Sequence, residues 1–193
     1  MSKRIALLSA VAFSTLALTA SVIAPANAED KKMMKSEMSG EKTVMVGGAA
    51  MFPSKNIIQN AVNSKDHTTL VAAVKAAGLV TTLEGKGPFT VFAPTNAAFN
   101  KLPAGTVDTL VKPENKATLT KILTYHVVPG KLEASALTDG KKLKTVEGEE
   151  LTVKRSGDEV MIVDAKGGSS TVTIPNVNQS NGVIHVVDTV LMP

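Results

Sequence analysis

The stretch GPFTVFAPTNAAF, at residues 87–99, carries the clearest structural signal in this chain of 193 residues. Residues 89–93 are β-prone and run into Pro94, which has no N–H for a sheet ladder, so they predict a strand of about five residues. The hydroxyl of Thr95 comes next and can accept from the free amides of a following helix, which would hold residues 97–99. The stretch therefore predicts a strand joined by a tight connection to a helix.

Helical patterns lie on both sides of this stretch. Apolar residues recur at three- and four-residue spacing after Asn56, which predicts a short helix. A second helix is predicted between Asp66, a good N-cap, and Gly78, which ends it. Residues 79–83 are expected to pack before a glycine-rich turn, and further helices are predicted at 105–110 and 114–124.

The sequence pattern changes from helical to extended from Tyr125 onward. Short β-prone runs alternate with Gly, Asp and Asn turns, which predicts strands at 125–128, 142–146, 150–155, 160–163, 171–174 and 183–191. Helices crowd the first half and strands the second, so the expected class is α+β and not a repeating βαβ fold.

The N-terminus has the anatomy of a secretory signal peptide at residues 1–28. Lys3 and Arg4 precede an apolar run, and small residues follow at Ala26 and Ala28. A retained membrane anchor is the alternative, which the hydroxyl residues within the run disfavour. We expect cleavage after Ala28, a secreted or periplasmic protein, and no integral membrane segment once the signal is removed.

Residues 29–52 are interpreted as a flexible Met- and Lys-rich arm, and residues 53–193 as the folded domain. The second half of the arm is more apolar, and the sequence allows it to lie along the domain in an ordered form. Thioethers suit Cu(I), so the methionines of the arm raise the alternative of copper binding. The simpler interpretation is that two of them fill gaps against the domain. The methionines concerned are Met33, Met34, Met38, Met45 and Met51.

Composition disfavours several kinds of protein. The chain has no cysteine, which excludes disulfides, thiol catalysis and zinc–thiolate sites. Its net charge is only +4, and the leader carries two of the basic residues. The chain has no tryptophan and one tyrosine, so nucleic-acid and sugar platforms built on aromatic rings are not expected.

Three segments in order resemble the signature regions of the fasciclin domain family. They are residues 87–99, the segment LTYHVVPG at 123–130 and the segment NGVIHVVDTVLMP at 181–193. The resemblance covers roughly residues 54–193 and implies a β-wedge of about seven strands with several short helices packed around it. It also implies a binding or adhesive role, and in animal members the Tyr-His region is implicated in integrin recognition. Tyr125 and His126 are therefore the candidate binding residues.

The histidines suggest structural roles. His67 is expected to be exposed in the first turn of a helix, whereas His126 and His185 lie in apolar segments typical of neutral, hydrogen-bonded core histidines. Adjacent strand residues point to opposite faces, so at least one of Tyr125 and His126 should face inward, and we favour a structural role for His126. If the Tyr125 hydroxyl reaches solvent, Tyr125→Phe should destabilise the protein less than His126→Ala.

Familiar catalytic and phosphate-binding motifs are not found in the sequence. We therefore expect no enzyme, no bound metal and no cofactor. The expected function is an exported, monomeric adhesion or binding module that contacts an unknown protein or a cell-surface or matrix ligand. The alternatives are a small-molecule or copper-binding envelope protein that uses the Met-rich arm, and an enzyme of a kind that these motifs do not reveal.

Overall fold

A computed structural model describes residues 42–193, and its first element is a hairpin of two short strands. β1 (Val44–Val46) pairs antiparallel with β2 (Ala49–Met51), and Val46 and Met51 are buried in the core. The apolar half of the predicted arm is thus ordered against the domain. Met51 fills a gap as expected, but Met45 does not, because 60% of it is exposed. The predicted signal peptide and Met33, Met34 and Met38 lie outside the described residues.

Short helices follow the hairpin and surround the sheet. Asn56 starts the first of them with a reciprocal capping box to Gln59, and Thr95 accepts from the Ala98 amide at 3.2 Å, as its position in the sequence predicts. Gly78 ends another in the left-handed conformation, with φ of 74°. The helices are α1 (Ile57–Ala61), α2 (Thr68–Ala77), α3 (Val80–Glu84), α4 (Asn96–Asn100), α5 (Thr106–Leu110) and α6 (Lys116–Tyr125).

Seven further strands form one sheet, β3 (Phe89–Pro94), β4 (Val127–Pro129), β5 (Lys142–Lys144), β6 (Glu150–Ser156), β7 (Glu159–Val163), β8 (Ser169–Gln179) and β9 (Gly182–Val187). Their order is β4-β3-β9-β8-β7-β6-β5. β3 and β9 run parallel in its interior, with Phe89 opposite Gly182, and the other neighbouring pairs are antiparallel. β9 is shorter than predicted: at Asp188 the amide still donates to the Thr171 carbonyl, but the Thr171 amide donates to the Asp188 carboxylate and not to a backbone carbonyl.

The sheet curls until its two outer strands meet. The Val146 amide, just past β5, donates to the Val127 carbonyl of β4 at 2.8 Å. This contact makes the sheet a nearly closed wedge, so the α+β class and the seven-stranded wedge are both confirmed. The inside of the wedge is an apolar core that includes Phe92, Tyr125, Leu137, Leu151, Ile162 and Leu191.

A second core lies between the sheet and the helices, and we call it the outer core. The hairpin, α1, α2 and α6 cover the face of β3 and β9 that points away from the inside of the wedge. All six residues of β9 are buried, as expected for a central strand covered on both faces. The outer core includes Met51, Ile58, Leu70, Val74, Val91, Leu123 and Ile184.

Candidate functional site

The two candidate binding residues lie where helix α6 gives way to the sheet. Tyr125 is the last residue of α6, and His126 keeps helical angles, with φ of −83° and ψ of −3°. The predicted strand at 125–128 therefore begins only at Val127. The strand prediction was wrong because the helical spacing of Leu119, Ile122 and Leu123 continues through this pair and holds both rings in the core.

Both side chains are buried, Tyr125 with 0% and His126 with 2% of its surface exposed. The prediction that at least one of them faces inward holds, although its premise of strand alternation does not. Neither ring lies on the surface of the domain, so any contact with a partner must be made by residues around them.

His126 is hydrogen-bonded at both ring nitrogens. Nδ1 lies 2.8 Å from the Ile122 carbonyl, and Nε2 lies 3.0 Å from the Leu191 amide. A carbonyl only accepts and an amide N–H only donates, so Nδ1 carries the proton and Nε2 accepts. Burial lowers the pKa of His126 to about 4, which keeps the ring neutral at pH 7. The ring thereby joins α6 to the C-terminal segment.

Tyr125 is held through its hydroxyl. The Ala165 amide donates to the phenolic oxygen at 2.9 Å, and Tyr125 is fully buried, so the condition that its hydroxyl reaches solvent is not met. Burial raises the pKa of Tyr125, and the nearby carboxylates of Asp164, Glu149 and Glu147 raise it further. The phenol stays protonated and ties α6 to the loop after β7.

A group of partly exposed residues lies near this buried pair, at the junction of β4 and β5. The ammonium group of Lys121 lies 3.5 Å from a Glu147 carboxylate oxygen and 3.6 Å from one of Glu149. Val146, whose amide makes the junction hydrogen bond, is 45% exposed. We call Lys121, Val146, Glu147 and Glu149 the seam surface. It combines one exposed apolar side chain with a small charged rim.

His67 is buried, with 2% of its surface exposed, although the sequence predicts exposure. A 3₁₀ turn at Lys65–His67 precedes α2 and brings the ring into the core, where Nδ1 lies 2.9 Å from the Ser64 hydroxyl. Burial lowers the pKa of the ring. The signal was present in the sequence, because His67, Leu70 and Val74 share the apolar face of the same helical repeat.

His185 occupies the core position that the sequence predicts. It lies on β9, is fully buried, and its Nε2 donates to the Leu132 carbonyl at 2.7 Å. The Asn176 amide donates to Nδ1 at 3.4 Å, and the ring stacks on Phe92 with centroids 5.7 Å apart. Burial lowers the pKa of His185, so this ring is also neutral at pH 7.

Residues 42–193 contain neither a cluster of metal ligands nor a membrane-spanning helix. No group of three or more His, Asp or Glu side chains within that range is placed to hold a metal ion. Met45 and Met51 fall on opposite faces of the hairpin, one exposed and one buried, so their sulfur atoms do not converge. None of the described helices is long and apolar enough to cross a membrane.

Comparison with known proteins agrees with this architecture. The Synechocystis protein sll1483 is 49% identical over 153 residues, which cover 79% of this chain and 82% of that protein. The immunogenic protein MPB70 of Mycobacterium bovis is 39% identical over 138 residues, covering 69% of this chain and 66% of MPB70.

A solved structure shares the fold. It is a pair of FAS1 domains from the insect cell adhesion molecule fasciclin I, with a TM-score of 0.65 and 18% sequence identity over 74% of this chain and 52% of that one. The family model of the fasciclin domain matches residues 65–193. With the nearly closed wedge and the central parallel pair of strands, this match establishes that the chain belongs to the fasciclin domain family, whose members include cell-adhesion and surface proteins.

Proposed function

We propose that this protein is an exported binding module that attaches a cell surface or matrix to a protein partner, and that it does not act as an enzyme. Family membership supports a role in adhesion or at the cell surface. The single observation that carries the proposal further is the seam surface, a partly exposed patch close to two buried, hydrogen-bonded rings.

The seam surface has the composition of a small protein-binding patch. Val146 provides exposed apolar area, and Lys121, Glu147 and Glu149 surround it with charge of both signs. Protein interfaces commonly have such an apolar centre and a polar rim. The ion pairs are partly exposed, so they contribute little to the stability of the fold. Their charges can instead contribute to specificity, by favouring a partner of complementary charge.

Tyr125 and His126 act as positioning residues in this proposal. Tyr125 holds the loop at Ala165, and His126 holds the C-terminal segment at Leu191. Both therefore anchor the C-terminal end of α6, the helix that carries Lys121 of the seam surface, without touching the partner. A rigid patch loses less conformational entropy on binding, which increases affinity.

Replacement of Val146 by serine tests the proposal, with Val62→Ser as the matched control. The two valines are similarly exposed, at 45% and 48%. Full burial of a valine contributes about 2 kcal/mol, and Val146 has about half of its surface left to bury, so V146S should weaken attachment to an envelope or matrix fraction roughly fivefold. V62S should leave attachment unchanged, and both variants should unfold at the wild-type urea concentration. Equal attachment by V146S and the wild type would remove the seam surface from the proposal.

Copper or small-molecule binding by the Met-rich arm is the competing function. A copper titration of the mature protein, beside a form that lacks residues 29–41, distinguishes it from adhesion. Micromolar Cu(I) binding that disappears when residues 29–41 are removed would favour the competing function. Attachment that survives the deletion would favour the adhesive one.

A further inference from the structure

Asn181 and Gly182 form the only Asn-Gly pair in the sequence, and they lie where β8 ends and β9 begins. An asparagine followed by glycine is prone to spontaneous deamidation. The reason is that glycine has no Cβ to hinder the approach of its backbone nitrogen to the side-chain carbonyl carbon of the asparagine, and its backbone is the most flexible. The chemistry of this pair therefore depends on whether the fold leaves it free to react.

Three hydrogen bonds hold the Asn181 side chain away from that reaction. Its Nδ2 donates to the carbonyls of Leu83 at 2.7 Å and Gly85 at 2.9 Å, and its Oδ1 accepts from the Ile57 amide at 3.1 Å. Only 7% of the residue is exposed. Because these bonds direct the side-chain amide toward α1 and the end of α3, its carbonyl carbon cannot turn toward the Gly182 nitrogen while they persist.

The backbone around the pair is also fixed. The Ser180 amide donates to the Lys55 carbonyl at 2.9 Å, and the Phe89 amide donates to the Asn181 carbonyl at 3.0 Å. Gly182 packs so closely against Phe89 that a Cβ at residue 182 would overlap the Phe89 carbonyl. Ring closure between the two residues needs the main chain to bend at this point, so it requires the turn to open.

We propose that Asn181 is a latent modification site, which the fold protects and which unfolding exposes to spontaneous deamidation. In the unfolded chain the Gly182 nitrogen attacks Cγ of Asn181 and forms a succinimide ring. The bond from Cγ to Nδ2 breaks, and the side-chain nitrogen leaves as ammonia with the proton from Gly182. Water then opens the ring at either of its carbonyl groups, which yields aspartate or isoaspartate.

Neither product fits the folded site. Aspartate at this position would face the Leu83 and Gly85 carbonyls with a carboxylate, and all of these groups only accept hydrogen bonds. A buried charge that faces two acceptors is strongly unfavourable. Isoaspartate lengthens the main chain by one methylene group, which moves Gly182 out of register with Phe89. Deamidation of the unfolded chain would therefore make unfolding irreversible.

Mass spectrometry tests the site on protein kept folded in mildly alkaline buffer, or unfolded in the same buffer with guanidinium chloride. Peptide mapping should find conversion of amide to acid at Asn181 in the unfolded chain. In the folded protein the conversion should be about a hundredfold slower or more, because it follows the small population of opened molecules. Rates that differ by less than about tenfold, or faster conversion of another asparagine in the unfolded chain, would overturn the proposal.

Removal of the denaturant tests the consequence. Chains modified at Asn181 should be absent from the refolded, protease-resistant fraction, whereas unmodified chains should enter it. Equal recovery of both would contradict the proposal, and this measurement needs no variant that folds.

Two variants make the same chemical change at a buried and at an exposed residue. Asn181→Asp reproduces one product and should shift the folding equilibrium toward the unfolded chain by about a hundredfold or more. Asn63→Asp changes an exposed asparagine and should leave the unfolding midpoint nearly unchanged. Equal stability of N181D and N63D would show that the folded site accepts the product, against the proposal.

Discussion

Acid should destabilise this protein partly through protonation of His126, and replacement of His126 by glutamine should remove that part of the acid destabilisation. The buried ring has a pKa of about 4, against an ordinary value of 6.5. The unfolded chain therefore binds a proton more readily than the folded one between these two values. Stability from the neutral ring is complete above pH 6.5 and is lost as the pH falls toward 4.

The magnitude follows from the two pKa values. Proton linkage gives a loss of about 1 kcal/mol at pH 6, about 2 kcal/mol at pH 5 and about 3 kcal/mol at pH 4, relative to neutral pH. The folded-state pKa of Asp188 lies below its ordinary value of 3.8. Its contribution is therefore lost mainly below pH 4, and the range from pH 7 to 5 isolates the histidines.

Urea unfolding of the wild type and His126→Gln at pH 7, 6 and 5 measures the effect. Glutamine offers hydrogen-bonding groups but does not titrate. Because His67 and His185 also have lowered pKa values, both proteins should weaken in acid. The wild type should lose about 2 kcal/mol more than the variant between pH 7 and 5. Parallel pH profiles would show that His126 is not a buried neutral ring and would refute the reasoning.

Other outcomes are expected from the same structure. Tyr125→Phe should cost about 1 kcal/mol in urea unfolding, because the Ala165 amide loses its acceptor; no change in stability would contradict that hydrogen bond. Gly182→Ala should cost about 1–3 kcal/mol or more, because a Cβ there would overlap the Phe89 carbonyl in the central parallel pair; a wild-type unfolding midpoint would contradict this packing. Intact mass should place the mature N-terminus at Glu29, and a mass that retains residues 1–28 would contradict export.

Features set by neighbouring residues could be predicted from the sequence. The strand at 89–93, the cap at Thr95 and the helix start at Asn56 depend on contacts within a few residues, and the structure contains all three. The alternation of β-prone runs and turns also gave the strands of the second half, although their ends shifted by several residues.

Features set by distant residues could not be predicted in the same way. The hydroxyl of Tyr125 meets an amide 40 residues away, and His126 meets one 65 residues away. The β-prone composition around Tyr125 favours a strand, but packing in the core extends the helix instead. Likewise, the Asn181 side chain accepts from the Ile57 amide across 124 residues, and no local pattern indicates that contact.

The position of β9 has a consequence for how the protein is made. β9 lies in the interior of the sheet, between β3 and β8, yet among the described strands it is the last to be synthesised. The wedge cannot close, and β3 cannot gain its parallel partner, until the chain has been synthesised past Val187. Such distant pairing is slow to form. A chain exported as proposed above would therefore remain unfolded while it crosses the membrane, and would complete its fold after translocation.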